Sequence, residues 1–257
     1  MLRAFAVDPV GVSRALPGEI WQRRGGKQQH YEPDEAWDEH LHGLLGVNWP
    51  CPHGQRLDEL MADIGSLLAS KGLGYGRHTY GYYSDADSSL GRAVWCAVVH
   101  TRPEVVIETG VARGVTSRIV LEALRHNEHG HLWSIDLPHP FDRGLHVQTG
   151  AAVTEACRVR WSYLEGASRQ QLPPLLAKVG HVETFVHDSL HTARNTVFEM
   201  NQAASAMQPG GVMLADDIST HDGFAVFARQ HPEYQTIICP SADRRGLFGI
   251  AVRPVSA

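Results

Sequence analysis

Four side chains that could bind a cation or move a proton follow two short apolar runs of the chain. The stretch FVHDSLHTARN places Asp188 and His191 after the first run, and GGVMLADDIST ends the second run in Asp216 and Asp217. Neighbouring acids repel one another, and burying unpaired charge is costly. A divalent cation would remove that penalty, and carboxylate oxygens suit Mg²⁺ first and Mn²⁺ next. The pattern predicts a metal site formed by Asp188, Asp216 and Asp217.

His191 is the candidate general base. It lies three residues after Asp188, on the loop or first helical turn that follows the same apolar run. From there it could face a bound ion without ligating it. A neutral imidazole titrates near neutral pH and can accept a proton from a hydroxyl. In the simpler alternatives, Asp188 or Asp217 caps a helix and His191 is an exposed residue at a helix start.

The turn after the first predicted strand has features that suit a bound nucleoside. The segment ETGVARGVTS runs from Glu108 to Ser117, and its two glycines, Gly110 and Gly114, permit tight turning and close approach of a ligand to the main chain. Its spacing differs from the G-x-G-x-x-G of dinucleotide enzymes, and no P-loop lysine follows. The Glu108 carboxylate would repel a pyrophosphate and attract an ammonium group. Asp136 ends the second strand, where an acid can hydrogen-bond ribose hydroxyls.

These features together predict S-adenosylmethionine as the cofactor, since it is a nucleoside that carries an amino-acid tail. The plainer interpretation is that Gly110 and Gly114 only make a turn and Asp136 only caps a helix.

The elements that must position these residues alternate from residue 104 onward. Short apolar runs and helical stretches follow one another, as in a parallel sheet with crossover helices. The last two runs are joined by SADRR alone, which is too short for a crossover and predicts an antiparallel hairpin. We therefore predict an α/β fold with a doubly wound, mostly parallel seven-stranded sheet and an antiparallel C-terminal hairpin, which is a Rossmann-like architecture. The strands are expected at 105–110, 131–136, 160–166, 183–188, 210–217, 234–240 and 246–252.

Before this sheet, the chain predicts an N-terminal arm and helical cap over residues 1–87. An amphipathic helix is expected over 55–71, because its leucines recur at intervals of three and four residues. A second helix, capped by Ser or Asp near residue 88, begins the ligand-binding domain at 88–257. The irregular arm over 15–55 makes a homo-oligomer possible.

Composition excludes several classes of function. The net charge is −5 and the sequence has no basic stripe, so nucleic acid is not an expected partner. The sequence has no run of eighteen apolar residues that could span a membrane. Its first residues also lack the apolar core of a secretion signal. Both observations favour a cytoplasmic protein. The four cysteines form no CxxC pair, a pattern that indicates reduced thiols rather than a disulfide frame or a zinc site. Most of the 16 histidines are expected at the surface or in ordinary hydrogen bonds.

The glycine turn and Asp136 resemble the class I methyltransferases, whose first motif is an acid-x-Gly-x-x-x-Gly turn and whose second-strand acid holds the ribose. The segment EGASRQQL is similar to the part of that family that lies near the adenine. The resemblance implies a methyltransferase domain over 88–257 in which Glu108 and Ser117 belong to the turn that binds the cofactor, and Ala167 and Ser168 contact the base.

A narrower resemblance rests on the Asp-x-x-His sequence and the acidic pair 28 residues after its aspartate (216 − 188). It points to the metal-dependent O-methyltransferases that modify sugar hydroxyls, a group that includes macrocin O-methyltransferase and the cephalosporin hydroxylases. It implies that Asp188, Asp216 and Asp217 bind Mg²⁺ and that His191 is the base. The family often has glutamate where this chain has Asp216, so the coordination differs in detail.

The segments expected around the site favour a saccharide acceptor, such as a sugar, an oligosaccharide or a glycoside. Tyr80 and Tyr82 lie in a Gly- and Tyr-rich segment, and His139 and His221 add polar groups. A catechol or another phenol also offers the neighbouring oxygens that a metal could bind. The aromatic residues could instead pack the N-terminal arm onto the sheet. Two alternatives come from other functional classes. One is a nucleotide-binding oxidoreductase, and the other is a protein that binds adenosylmethionine and a structural ion without catalysing a reaction.

Overall fold

The computed structural model describes residues 29–80, 84–137 and 142–255, and these contain a single seven-stranded sheet. Its strand order is β3-β2-β1-β4-β5-β7-β6, with β7 antiparallel to both of its neighbours and the first five strands parallel. The predicted doubly wound sheet and its C-terminal hairpin are confirmed. The strands are β1 (Val105–Thr109), β2 (His131–Asp136), β3 (Trp161–Glu165), β4 (Val182–His187), β5 (Met207–Ala215), β6 (Gln235–Pro240) and β7 (Leu247–Val252).

Helices cover both faces of the sheet in the part of the chain that the structure describes. Helices α1 to α4 contribute to the hydrophobic core on one face, and α6 to α8 contribute to the core on the other. The α-helices are α1 (Trp37–Leu44), α2 (Gly54–Ser70), α3 (Ser88–Thr101), α4 (Val115–Asn127), α5 (Arg143–His146), α6 (Ser168–Val179), α7 (Ala193–Ala206) and α8 (Gly223–Gln230). Two short 3₁₀ helices span Glu155–Arg160 and Ile218–Thr220.

The predicted start of α3 agrees with the structure. The Asp87 side chain accepts hydrogen bonds from the main-chain N–H groups of Ser89 (2.7 Å) and Leu90 (3.0 Å), which satisfies two free donors of the first turn. From that start, α3 is buried along most of its length.

The two helices that the structure describes before residue 87 pack on the same core as the sheet. Trp37 of α1 meets Phe248 of β7 edge to face, with ring centroids 5.5 Å apart. Leu57, Ile64 and Leu68 of the amphipathic α2 are buried in the same cluster. The division of the chain at residue 87 stays a prediction. None of the described helices is both long enough and apolar enough to cross a membrane.

The first βα turn requires glycine at position 110 because the main chain of another loop lies against it. Gly110 has a φ of +85°, and a Cβ added there would lie 1.9 Å from the Asp188 carbonyl oxygen. The close approach predicted for a ligand is therefore made, on this side of the turn, by the loop after β4. Gly110 thus sets the distance between this turn and the loop after β4. That loop carries Asp188 and His191 and is called the acidic loop.

We expect Gly110→Ala to lower the free energy of unfolding by about 3 kcal/mol or more, because left-handed strain adds to a main-chain clash. Gly180→Ala is the matched control, since Gly180 has a φ of +80° but nothing within 4 Å of its added Cβ. Strain alone should cost this control about 1 kcal/mol. Urea denaturation measures both values, and equal losses in the two variants would contradict the close contact.

Candidate functional site

The acidic residues come together because three strands end at the same level. Thr109 of β1 pairs with His187 of β4, which pairs with Ala215 of β5. The next residues continue this pattern, since the Asp188 N–H donates to the Thr109 carbonyl (2.8 Å) and the Asp216 N–H donates to the His187 carbonyl (2.9 Å). Asp188 and Asp216 are therefore neighbours at the carboxyl edge of the sheet, as their positions after the apolar runs predicted.

His191 lies between the acidic side chains. One ligand atom each from Asp188, His191 and Asp216 lie within 4.8 Å of one another. The His191 Nε2 atom is 3.5 Å from Asp188 Oδ1, and its Nδ1 atom is 2.9 Å from Asp217 Oδ2. Asp217 is 55% exposed and holds the imidazole from the outer side. The three residues whose ligand atoms converge are thus Asp188, His191 and Asp216, whereas the sequence predicted Asp188, Asp216 and Asp217.

The charges of this cluster are strongly coupled. Burial opposes protonation of His191, but the carboxylates of Asp188 and Asp217 outweigh it and raise the His191 pKa well above its usual value. Burial and the neighbouring Asp188 raise the pKa of Asp216, whereas the hydrogen bond to His191 lowers the pKa of Asp217. These carboxylates therefore favour the protonated form of the imidazole, whereas the sequence predicted a neutral base.

The donor set fits a divalent cation. Two carboxylates and an imidazole can each supply one ligand atom, and Mg²⁺ and Mn²⁺ both bind carboxylate oxygens. A metal charge would also satisfy Asp216, whose ionised form is disfavoured without one.

A buried hydrogen bond between a histidine and a glutamate, which sequence reasoning missed, lies beneath the acidic loop. His187 and Glu199 are fully buried, with Nδ1 and Oε2 2.6 Å apart. The same carboxylate accepts hydrogen bonds from Thr109 (2.5 Å), Ser189 (2.8 Å) and Asn195 (2.9 Å). Ser189 and Asn195 flank His191 in the chain, so this network fixes the loop that carries it. In the sequence, the only indication of this network was Glu199, an acid within the apolar helical segment TVFEM.

Glu108 lies in the interior below the glycine turn. One carboxylate oxygen accepts hydrogen bonds from Ser117 (2.6 Å) and Ser134 (2.7 Å), and the other, also buried, has no partner among the described residues. Burial raises the Glu108 pKa to about 8. The Ser117 hydroxyl therefore contributes to the turn by donating a hydrogen bond to Glu108. The predicted attraction of Glu108 for an ammonium group stays a prediction.

Asp136 is the last residue of β2, at the same edge of the sheet. Burial raises its pKa to about 6, while hydrogen bonds from the main chain of Val111 and Ala112 act in the opposite direction. Its carboxylate thus faces the glycine turn, where the ribose was predicted. In the neighbouring strand, Glu165 pairs with Asp136. A cavity of about 230 Å³ opens beside β3 and is lined by His146, Thr149, Arg158, Trp161, Tyr163 and Glu165.

Ala167 and Ser168, the two residues predicted near the adenine, follow β3. Ala167 is the residue before α6 and Ser168 is the first residue of that helix. The Ser168 side chain hydrogen-bonds Glu199, so it joins the buried network under the acidic loop. Contact of either residue with a base stays a prediction.

The predicted acceptor residues have different surroundings. Tyr80 is buried and its hydroxyl donates to the Leu145 carbonyl (3.1 Å). His221 is 4% exposed, and burial lowers its pKa to about 4. Both are packed in the interior here, and contact with an acceptor stays a prediction. Tyr82 and His139 lie outside the described residues.

Arg113, which sequence reasoning also missed, joins the glycine turn to two loops. Its guanidinium is buried and donates to the Gly74 carbonyl (2.5 Å), the Thr79 carbonyl and the Gln148 side chain (3.0 Å). It also lies 3.6 Å from the buried carboxylate of Asp85. The Gly- and Tyr-rich segment is thereby tied to the turn. In the sequence this role had only a weak indication, namely the position of the arginine between the two glycines of the turn.

Comparison with known proteins agrees with this architecture. Residues 107–218 match a family described as a methyltransferase domain, and this range contains the glycine turn and all three aspartates of the cluster. No curated protein sequence matches the chain significantly. The domain match supports methyltransferase chemistry, which the resemblance of the glycine turn implied.

Among the solved structures that share the fold are two O-methyltransferases. One is the O-methyltransferase of Bacillus cereus in complex with SAH, which is 13% identical, has a TM-score of 0.55, and aligns over 85% of this chain and 97% of that chain. The other is the O-methyltransferase TomG of Streptomyces achromogenes, involved in tomaymycin synthesis and solved in complex with SAM. It is 14% identical, has a TM-score of 0.57, and aligns over 85% of this chain and 96% of that chain.

We expect Asp216→Asn to stabilise the metal-free protein by about 1 kcal/mol, which raises the unfolding midpoint by roughly 2–4 °C. An acid with a raised pKa destabilises the folded state once pH exceeds its unfolded value, and asparagine does not ionise. Thermal unfolding in EDTA at neutral pH measures the shift. The control Asp63→Asn removes an exposed charge on α2 and should change little. A lower midpoint for Asp216→Asn would contradict the repulsion.

Proposed function

We propose that the protein is a metal-dependent O-methyltransferase that moves a methyl group from S-adenosylmethionine to a hydroxyl of a sugar, an oligosaccharide or a glycoside. The observation that carries this proposal is the convergence of Asp188, His191 and Asp216 at one edge of the sheet, directly beside the turn at Gly110. The methyltransferase match over residues 107–218 supports the transfer chemistry.

The cofactor would lie across the ends of β1 and β2. There, Asp136 would accept hydrogen bonds from the ribose hydroxyls, and the start of α4 would offer free N–H groups to the carboxylate of the amino-acid tail. The unpaired oxygen of Glu108 supports a polar or cationic group close to the turn. Of the two structural neighbours, one was solved in complex with SAH and the other in complex with SAM.

The acidic cluster would hold the acceptor in line with the methyl group. When bound, Mg²⁺ or Mn²⁺ supplies a Lewis acid that orients two neighbouring acceptor oxygens and makes one hydroxyl more acidic. Asp188 and Asp216 would hold this cation with Asp217 completing the set. His191 would then give up its contact with Asp188 and take the acceptor proton at Nε2, while Asp217 keeps the ring oriented through Nδ1.

Sugars with adjacent hydroxyls suit this arrangement because they offer two oxygens at a fixed spacing. The Gly- and Tyr-rich segment supports this class of acceptor, since Arg113 holds Gly74 and Thr79 of this segment beside the turn. Flat aromatic side chains with nearby hydrogen-bond donors are typical of saccharide sites.

A phenolic acceptor such as a catechol is the second candidate. It is favoured by Leu190, which lies between Asp188 and His191 in the chain and is 39% exposed. An apolar side chain at this position would pack on an aromatic ring more readily than on a saccharide. Neighbouring catechol oxygens meet the same requirement for two ligands.

A panel of glycosides and catechols, assayed with radiolabelled S-adenosylmethionine, tests the proposal. We expect transfer to one class, loss of that transfer in EDTA, and recovery on addition of Mg²⁺ or Mn²⁺. Thermal shift with S-adenosylmethionine and with NAD(H) is the parallel control, because a specific ligand stabilises the folded state by mass action. Stabilisation by NAD(H) alone would reject methyl transfer in favour of an oxidoreductase.

Replacing His191 should separate binding from catalysis. His191→Gln removes the proton acceptor, so we expect kcat to fall about 10²- to 10⁴-fold while the affinity for S-adenosylmethionine changes little. Calorimetric titration and initial rates measure the two effects. His129→Gln, an exposed histidine remote from the acidic loop in sequence, is the control. Normal turnover by His191→Gln would remove the imidazole from the mechanism.

A further inference from the structure

Two thiols and two imidazoles form a second cluster, apart from the acidic one. One ligand atom each from His42, Cys51, Cys96 and His100 lie within 4.8 Å of one another. The Cys51 sulfur is 3.5 Å from the Cys96 sulfur and 3.4 Å from His100 Nε2. Cys96 is buried and Cys51 is half-buried, so the cluster is largely shielded from solvent.

Three parts of the chain supply these groups. Cys96 and His100 lie four residues apart on α3, which places both on one face of that helix. His42 is in the last turn of α1, and Cys51 is in the connection between α1 and α2. Since α3 ends shortly before β1 begins, the cluster lies toward the amino-terminal edge of the sheet. The acidic cluster lies at the opposite edge.

The orientation of His42 is that of a metal ligand. Its Nδ1 atom is 2.6 Å from the Asp38 carbonyl oxygen and 3.3 Å from the Asp38 carboxylate. Donation from Nδ1 leaves the lone pair on Nε2, and this fully buried atom has no hydrogen-bond partner in the described part of the chain. A buried nitrogen without a partner is destabilising, whereas metal-binding histidines characteristically donate their other nitrogen to a carbonyl or carboxylate.

We propose that His42, Cys51, Cys96 and His100 bind one Zn²⁺ ion in a closed tetrahedral site with a structural role. Zinc bound by nitrogen at about 2.0–2.1 Å and by sulfur at about 2.3 Å separates its ligand atoms by roughly 3.3–3.8 Å. The measured spacings of 3.4 Å and 3.5 Å agree with this geometry. Four protein ligands leave no position for a substrate, so the ion ties the N-terminal helices to α3.

A disulfide between Cys51 and Cys96 is the competing interpretation of the two sulfurs. Its formation would pass two electrons to an oxidant and release two protons, and it would involve neither imidazole. The buried Nε2 of His42 would still lack a partner. Zinc accounts for all four groups at once, which is why we favour it. This inference does not depend on methyl transfer.

Metal analysis of the full chain, purified without chelator under reducing conditions, tests the site. We expect one zinc per chain that resists dialysis and is released when a mercurial reagent blocks the thiols. The cobalt-substituted protein should show the intense visible bands of tetrahedral Co²⁺ and a thiolate charge-transfer band. A chain that retains no zinc and gives no such bands with Co²⁺ would overturn the proposal, as would a Cys51–Cys96 disulfide found by mass spectrometry after reductant-free, anaerobic purification.

Variants assign the ligands. His42→Ala and Cys96→Ser should each lose zinc and the tetrahedral cobalt spectrum, and should unfold at lower temperature than the zinc-bound chain. Cys157→Ser, which removes another buried thiol, should keep one zinc per chain. Asp216→Asn should also keep it, which separates this site from the acidic cluster. If Cys157→Ser or Asp216→Asn lost the zinc while His42→Ala kept it, the assignment would be wrong.

Discussion

Repulsion between carboxylates at the ends of β4 and β5 is the constraint on which the rest of the site depends. The strand register places Asp188 and Asp216 side by side, and neither can move far while its N–H group is held by the adjacent strand. The carboxylates of Asp188 and Asp217 raise the pKa of His191, so a protonated imidazole would reduce this repulsion. A metal cation held by the same carboxylates would compete with that proton and would leave His191 free to accept one.

The surrounding packing holds these charges in place. Burial acts to raise the pKa of Glu199, but His187 and several hydrogen-bond donors outweigh it and lower this pKa. Removing one of these partners would leave a buried polar atom unsatisfied at a cost of about 1–3 kcal/mol, so the loop above has little freedom to separate the carboxylates. On the other side, Arg113 secures the glycine turn, and Gly110 lies against the Asp188 main chain. The turn and the acidic loop consequently form one rigid unit.

The fold and the proximity of Asp188 to Asp216 could be predicted because both follow from short-range patterns. Apolar runs defined the strands, a five-residue connection defined the hairpin, and the strand ends indicated Asp188 and Asp216. The side-chain positions could not be predicted in the same way. Asp217 adopts a left-handed backbone that turns it outward, and Glu199 finds His187 only after α7 packs on the sheet. The thiol and imidazole cluster was missed because its ligands come from three elements without a CxxC pair, although Cys96 and His100 share one helical face.

The two clusters differ in chemistry in a way that would let one chain hold two different ions. Zinc binds most mixed oxygen and nitrogen sites more tightly than magnesium or manganese, so the acidic cluster alone would be open to capture by zinc. Thiolates favour zinc much more strongly than carboxylates do, and the cluster of His42, Cys51, Cys96 and His100 offers two of them. Under limiting zinc the N-terminal cluster would fill first, and the acidic cluster would be left to the abundant hard cations. Selectivity at the carboxyl edge of the sheet would then rest on metal supply and geometry rather than on affinity.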